Sequence, residues 1–274
     1  MFLLNFFAGF SQIADPGFAR YLTSQGNFND VLLLQKFDWE KLDAAQLDSL
    51  NYYSGWASYN LQLLEQGIRS FSLVSPESGF YNASRFLAGW SELYLGQTLK
   101  GMAVLSQSKP ESAAENELLY MLRTSGALMQ HDVTAADSVL NMIRNTKIKY
   151  STQWDRMEEH YDRLSSFKPR SYALAGLFSA ILPGAGKVYA DQRGAGVSSF
   201  LLVGALAAVS LENGIKTGWK RWNTLLSASV FSVFYIGNVY GSIVSVKVYR
   251  DRFYDELDRA ILLDVNIPLR DLYR

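Results

Sequence analysis

The chain has 274 residues, and its 26 lysines and arginines balance 26 aspartates and glutamates, so its formal net charge is zero. This balance argues against a nucleic-acid-binding protein, which usually carries a basic surplus. Without cysteine there is no disulfide, no thiolate metal site and no cysteine nucleophile, and only His131 and His160 remain as imidazole bases or ligands. Neither histidine belongs to a motif, so we predict no catalytic residue, no metal site and no cofactor, and we expect a protein that is not an enzyme.

The first 14 residues, MFLLNFFAGFSQIA, are apolar and are followed by Asp15-Pro16-Gly17. They resemble the apolar region and cleavage site of a secretory signal peptide, although a basic start is missing. An uncleaved anchor and a first amphipathic helix are the alternatives. A signal in residues 1–14 predicts that residues 15–168 lie outside the cytoplasm.

Apolar positions at three- and four-residue intervals predict helices throughout residues 15–168 and no strand. The predicted helices are 16–25, 27–37, 43–59, 61–74, 80–96, 99–108, 113–130, 134–145 and 151–167. The last of them carries Trp154, Met157, Tyr161 and Leu164 on one face, which predicts that it caps the helical array.

A shift of 34 residues superposes two parts of this region. The superposed pairs are Gly55-Trp56 with Gly89-Trp90, Leu61 with Leu95, Gly67 with Gly101, Phe71 with Leu105, and Pro76 with Pro110. This period, with small residues on two helices and a terminating proline, resembles the tetratricopeptide repeat family over about residues 15–150. The resemblance implies a solenoid of helix pairs with an extended surface for a protein partner. Ser58 and Glu92 replace the expected tyrosine of the first helix, so the concave peptide groove of the family is not carried over.

Four aromatic residues of the repeat are candidates for partner binding. They are Trp56, Tyr59, Trp90 and Tyr94. The alternative is that these rings form part of the helical core.

Between Ser171 and Val246 the chain has only seven charged residues in 76. The uncharged runs Asn223–Val246 and Gly194–Leu211 have 24 and 18 residues, long enough to cross a hydrocarbon core of about 30 Å. Ser171–Gly186 is uncharged but has only 16 residues, which predicts either a short third span or a re-entrant half-helix. The sequence therefore predicts a membrane module over residues 171–246, built as a transmembrane helical hairpin or a three-segment bundle. A buried hairpin inside a soluble domain is the alternative.

Pro183, Gly184 and Gly186 are predicted to break a helix at the membrane face, in the stretch FSAILPGAGKVYADQRGAGVSS of residues 178–199. This stretch resembles a module of bacterial envelope proteins in which Leu-Pro-Gly-x-Gly, an aromatic residue and a basic-glycine turn precede a hydrophobic span. Together with the repeats, the resemblance is to a family of tetratricopeptide-like envelope proteins. It implies an integral membrane protein of a bacterial cell envelope and no established reaction.

Gly237 and Gly241 form a Gly-x-x-x-Gly step, a spacing that permits close helix contact in lipid. We predict that they pack against the preceding span, and the alternative is a homo-oligomer formed through this last span. Asn238, between them, is expected to face protein or water rather than lipid. Residues 247–274 begin as an amphipathic helix, which either lies on the membrane surface or docks on the helical domain.

Three crossings would divide the basic residues that flank the spans five against five, whereas two would divide them seven against three and favour a cytoplasmic helical domain. The signal-like start favours the periplasm, and we expect that location. The expected function is that of a membrane-anchored helical-repeat scaffold or adaptor, which binds a protein partner in envelope assembly or membrane-protein maturation. The alternative is a small channel, carrier or pore component formed by oligomerised transmembrane helices.

Overall fold

A computed structural model describes residues 15–36, 42–143 and 149–273, and the signal-like segment 1–14 lies outside them. The described residues form thirteen α-helices, one short 3-10 helix at Leu34–Lys36 and no strand, which confirms the all-α prediction. The helices are α1 (Pro16–Ser24), α2 (Phe28–Leu33), α3 (Ala44–Asn60), α4 (Leu64–Ser72), α5 (Tyr81–Tyr94), α6 (Thr98–Leu105), α7 (Ala113–Met129), α8 (Val133–Ile143), α9 (Ser151–Ser166), α10 (Tyr172–Ile181), α11 (Ala185–Tyr189), α12 (Arg193–Thr217) and α13 (Trp222–Tyr273). The nine helices predicted for residues 15–168 agree with α1 to α9 within three residues at either end, except that α2 ends at Leu33, four residues before its predicted end, and the 3-10 helix Leu34–Lys36 follows it.

The chain forms two compact units. The first contains Met1–Ser165 together with Asp258–Arg274, and the second contains Ser166–Leu257. The last segment of the chain therefore belongs to the unit that the first helices build. Of the two predicted places for the tail, the membrane surface and the helical domain, the structure has this segment in the helical domain.

Consecutive helices of the first unit pack as the pairs α3 with α4, α5 with α6, and α7 with α8. The repeat glycines lie where the helices of a pair are closest. A Cβ atom on Gly55 would lie 2.6 Å from the Phe71 ring, and one on Gly89 would lie 2.6 Å from the Leu105 side chain. Positions that the 34-residue shift superposes therefore make the same contact in adjacent pairs.

The same backbone turn closes the first helix of each pair. A six-to-one hydrogen bond joins the amide of Leu63 to the carbonyl of Ser58, that of Gln97 to Glu92, and that of Asp132 to Ala127, over 2.8, 2.9 and 3.0 Å. Such a turn needs one left-handed residue, and Gln62, Gly96 and His131 take this position with φ of 61°, 73° and 58°. The turn thus recurs even where the glycine is absent, and His131 helps to end a helix.

A polar side chain of α3, α5 and α7 accepts a hydrogen bond from the backbone beyond the helix pair. The Ser75 amide donates to Asp48 (2.9 Å), the Lys109 amide to Asn82 (2.9 Å) and the Lys149 amide to Glu117 (2.8 Å). These acceptors recur at the interval of the repeat, but the residue type differs. The equivalent position is an aspartate in α3, an asparagine in α5 and a glutamate in α7. Each acceptor provides a hydrogen-bond partner for a backbone amide that lies outside the helices.

The second unit contains α10, α11 and α12 and the first part of α13. α10 has ten residues and is about 15 Å long, which is too short to cross a hydrocarbon core of about 30 Å. α11 returns beside it, because the Tyr189 hydroxyl accepts a hydrogen bond from the Ser171 amide at the start of α10 (3.1 Å). Two helices, α12 and α13, are long and apolar enough to cross a membrane. Residues 171–186 therefore contain a ten-residue helix followed by a turn and the start of α11, and whether they enter a membrane as a re-entrant segment stays a prediction.

Candidate functional site

The part of α13 from Asp258 onward packs along one face of the first unit. Ile261, Val265 and Leu269 recur every four residues and are fully buried, whereas Leu263 and Ile267 are 66% and 52% exposed. This four-residue spacing places the buried side chains on one side of the helix. The C-terminal segment is therefore an amphipathic helix whose apolar face contacts protein.

Hydrogen bonds join this C-terminal segment to the first helix of three successive pairs. The Tyr59 hydroxyl of α3 donates to Asn266 Oδ1 (2.6 Å), the Trp90 Nε1 of α5 donates to the Leu262 carbonyl (3.1 Å), and the Tyr273 hydroxyl donates to Glu115 Oε1 of α7 (3.1 Å). Burial raises the pKa of both tyrosines, so both hydroxyls stay protonated and act as donors at neutral pH. α3, α5 and α7 thus form a single face that holds the end of the chain.

The four predicted partner-binding residues lie on or beside this face. Trp56, Tyr59 and Trp90 are buried, and Tyr94 is half exposed. The Tyr59 ring stacks on Trp56 at 5.7 Å and meets Trp90 edge-on at 5.2 Å. Tyr59 and Trp90 contact the C-terminal segment of their own chain. The sequence pattern singled out these aromatic residues but did not predict that the C-terminal segment contacts them.

α9 binds the same C-terminal segment through a buried carboxylate. Asp264 accepts from Arg156 Nη1 at 2.5 Å and lies 2.8 Å from His160 Nε2. Both Asp264 and His160 are about 5% exposed. A buried carboxylate needs such partners, because without them it would lose the solvation that water provides. His160, which has no motif in the sequence, here positions the C-terminal segment.

An exposed ion pair near the end of α13 predicts that the stability of the fold depends on pH. Lys149 Nζ and the Tyr150 hydroxyl each lie 3.0 Å from Asp271 Oδ2. Their hydrogen bonds, and then the charge of Lys149, hold the pKa of Asp271 below its ordinary value of 3.8. A lowered folded-state pKa stabilises the fold above the unfolded-state pKa, and this stabilisation is lost as the pH falls through the folded value.

We therefore expect Asp271→Asn to lower the free energy of unfolding at pH 7 and to have less effect below about pH 4. Urea denaturation of the solubilised full chain at both pH values measures the difference from wild type. Asp30→Asn is the control, because Asp30 of α2 is exposed. Parallel pH profiles for the two variants would contradict the expectation.

A cleft of about 800 Å³ opens beside the C-terminal segment in the first unit. Its apolar lining is aromatic: Phe28, Tyr52, Tyr53, Trp56 and Phe80. Tyr52 and Phe80 stack with ring centroids 4.5 Å apart, and the Tyr52 hydroxyl donates to the Tyr273 carbonyl at 3.4 Å. The volume is typical of a ligand-binding pocket.

The rim of this cleft is positively charged. Arg20 of α1 and Arg270 of α13 line it, together with Thr23, Ser24, Gln25 and Asn60, and no carboxylate is among its lining residues. Neither arginine side chain makes a hydrogen bond or ion pair with another described residue. The cleft therefore combines aromatic surface with free cationic donors, which suits an anionic group joined to an apolar one.

In the second unit, Pro183 and Gly184 lie at the turn between α10 and α11, and Gly186 lies in the first turn of α11. Gly184 has φ of +86°, and a Cβ atom there would lie 2.1 Å from the carbonyl oxygen of Gly196 in α12. A Cβ atom on Gly186 would lie 1.9 Å from the carbonyl oxygen of Ala175 in α10. The Leu-Pro-Gly-x-Gly stretch thus lets three backbone segments approach each other, and Gly196 is a member of this contact that the sequence did not single out.

The predicted packing residues of the last span have different surroundings. A Cβ atom on Gly237 would meet nothing within 4 Å, and one on Gly241 would meet the Lys187 side chain at 3.5 Å. Asn238 is 5% exposed, and its amide makes no hydrogen bond with a described residue. Ser242, one turn later, bonds Ser179 of α10 over 2.6 Å. Asn238 therefore faces protein, and close contacts within the chain involve the turn glycines rather than Gly237.

Among the described residues, no three histidine, aspartate or glutamate side chains are grouped to hold a metal ion. Comparison of the chain with protein-family models, curated proteins and solved structures finds no match.

Proposed function

We propose that the chain is a membrane-anchored helical-repeat adaptor of a bacterial cell envelope, which binds a protein partner through its first unit. The observation that carries this proposal is the aromatic cleft, whose Arg20 and Arg270 make no hydrogen bond or ion pair with another described residue. The predicted aromatic face is already covered by the C-terminal segment, so the cleft beside it is the surface left for a partner.

The recurring contacts support a tetratricopeptide-like solenoid in the first unit. The close glycines, the six-to-one turns and the cross-pair hydrogen bonds recur at intervals of 34 or 35 residues. Stacked helix pairs of this kind bury a continuous core and leave an extended surface, which is the common basis of partner binding by repeat proteins.

Exposed apolar side chains support anchoring in a membrane. Twenty-five of the 35 large exposed apolar residues described lie between Tyr172 and Val248. Only 17% of the most apolar window of α12 is buried, and 22% of that of α13. A soluble protein would leave this area in contact with water, which is unfavourable for so large a patch. Lipid covers it at no such cost.

The composition of the first unit supports an even number of crossings. Residues before and after the second unit both belong to the first unit, which favours both ends of the proposed membrane module on one side. Two crossings by α12 and α13, the helices that are long and apolar enough, fit this proposal. We propose that this side is the periplasm, because the start of the chain resembles an export signal. The seven-to-three distribution of flanking basic residues favours the opposite side.

Labelling of single cysteines determines the orientation, since the chain has none of its own. Leu99→Cys reports on the exposed surface of the first unit, and Lys220→Cys reports on the turn between α12 and α13. We expect an impermeant maleimide to label Leu99→Cys in intact cells and Lys220→Cys only after lysis. The reverse pattern would place the first unit in the cytoplasm.

Charge reversal in the cleft tests partner binding. We expect Arg20→Glu to reduce crosslinking of the tagged full chain to its partner at least about tenfold, because an acidic group on the partner would then face a carboxylate. Arg69→Glu is the matched control, because Arg69 of α4 is exposed and lies outside the cleft, and it should retain crosslinking.

Crosslinking mass spectrometry in native membranes gives the contacts. Crosslinks from Tyr53 to another protein, lost in Arg20→Glu and kept in Arg69→Glu, would support the adaptor. Equal crosslinking by both variants would contradict the role of the cleft. Contacts confined to residues 223–246 of two copies would favour an oligomeric pore instead.

A further inference from the structure

Two arginines and three tyrosines of the second unit form one cluster, which we name the Tyr-Arg cluster: Arg170, Tyr172, Tyr189, Tyr249 and Arg250. The Arg170 guanidinium lies 4.4 Å from the ring centre of Tyr249 and 5.5 Å from that of Tyr189. The Arg250 guanidinium lies 4.4 Å from the ring centre of Tyr172 and donates Nε and Nη2 to the Arg170 carbonyl. The start of α10, the end of α11 and the middle of α13 meet here.

Among the described residues, no carboxylate forms an ion pair with the two arginines of the cluster. The Arg170 side chain makes no hydrogen bond or ion pair with a described residue, and both arginines are partly buried. Stacking on tyrosine rings orients the guanidinium groups but does not neutralise them. A partly buried cation favours an anion as its neighbour, because water solvates it incompletely.

The position of the cluster along α13 matches the headgroup layer. Trp222, at the start of α13, and Tyr249 are about 40 Å apart along the helix, close to the thickness of a bilayer with its headgroups. Exposed Trp219 and Trp222 mark the opposite end. Aromatic residues at both ends of a span are typical of the two membrane interfaces.

We propose that the Tyr-Arg cluster binds the headgroup phosphate of an anionic phospholipid. This inference rests on the membrane anchoring proposed above. A guanidinium group pairs with phosphate through two parallel hydrogen bonds, and unbonded N–H groups of Arg170 are available for them. The tyrosine rings hold Arg170 at the depth where a lipid phosphate lies.

Native mass spectrometry of the detergent-solubilised full chain, titrated with phosphatidylglycerol or phosphatidylcholine, tests the site. We expect tighter binding of phosphatidylglycerol, and we expect Arg170→Gln to weaken it about fivefold, the effect of one basic residue near an anionic surface. Arg170→Lys should retain most of the binding. Lys220→Gln, at the opposite end of α13, is the matched control and should retain its affinity for the lipid.

Equal loss in Arg170→Gln and Lys220→Gln, or no loss in either, would overturn the proposal. Millimolar inorganic phosphate that displaces the lipid would also overturn it, since the site would then take a soluble anion. Unchanged melting temperature in Arg170→Gln shows that a loss of lipid is not a loss of fold. Release of the chain from membranes by alkaline carbonate would refute the membrane anchoring separately.

Discussion

Replacing Gly186 with alanine is expected to destabilise the second unit by at least about 3 kcal/mol. The new Cβ atom would lie 1.9 Å from the Ala175 carbonyl oxygen, an overlap that no side-chain rotation can relieve because both atoms are fixed to backbone. Either α10 or α11 must move, and the Ser179 hydroxyl would then lose the hydrogen bond that it accepts from the Gly186 amide (2.9 Å). Thermal unfolding of the detergent-solubilised chain measures the effect.

Gly194→Ala and Gly204→Ala are the controls, because a Cβ atom at either position of α12 meets nothing within 4 Å. Alanine is a better helix former than glycine, so these variants should be as stable as wild type or up to about 1 kcal/mol more stable. A Gly186→Ala protein that melts with the controls would show that α10 and α11 are not in the close contact described.

Truncating Ile261 to alanine is expected to lower the free energy of unfolding of the first unit by about 2–5 kcal/mol. Ile261 is fully buried on the face of the C-terminal segment that contacts the helix pairs, so the truncation removes apolar contact and leaves a cavity. Urea denaturation, followed by tryptophan fluorescence, reports the change, since Trp90 is bonded to the neighbouring Leu262.

Leu263→Ala is the matched control on the same helix, because Leu263 is 66% exposed. We expect it to change stability by no more than about 0.5 kcal/mol. Limited proteolysis should also cleave the C-terminal segment faster in Ile261→Ala than in Leu263→Ala. Equal cleavage and equal stability would mean that the segment does not depend on its buried face.

The helices of the first unit could be predicted from local signals. Asp43 caps α3 and forms a reciprocal pair of hydrogen bonds with Gln46, and Pro16 stands at the first turn of α1. The repeat could be recognised in the sequence because a Cβ atom on Gly55 or Gly89 would overlap the side chain of Phe71 or Leu105, which favours glycine at both positions. The left-handed position of the turn restricts the residue type less strictly. It is occupied by Gln62 and His131 in two of the pairs, so the turn recurs without a residue type that the pairs share.

The occupant of the aromatic face could not be predicted. Its contacts join residues far apart in sequence, such as Tyr52 with Tyr273 and Tyr59 with Asn266, and no local pattern records which faces will meet. Spacing alone was also insufficient in the second unit. Gly237 and Gly241 have the helix-packing interval, yet the tightest approaches belong to Gly184, at the turn before α11, and to Gly186, in the first turn of α11.

The order of biosynthesis follows from the place of the C-terminal segment. A ribosome makes residues 15–165 before the second unit and the segment from Asp258 after it, so the nascent first unit lacks this segment until the second unit has been synthesised. Until then Tyr59 and Trp90 lack their partners Asn266 and Leu262. Completion of the first unit thus requires prior synthesis of the second, and a chain that stalls before Asp258 presents an aromatic face without the segment that covers it.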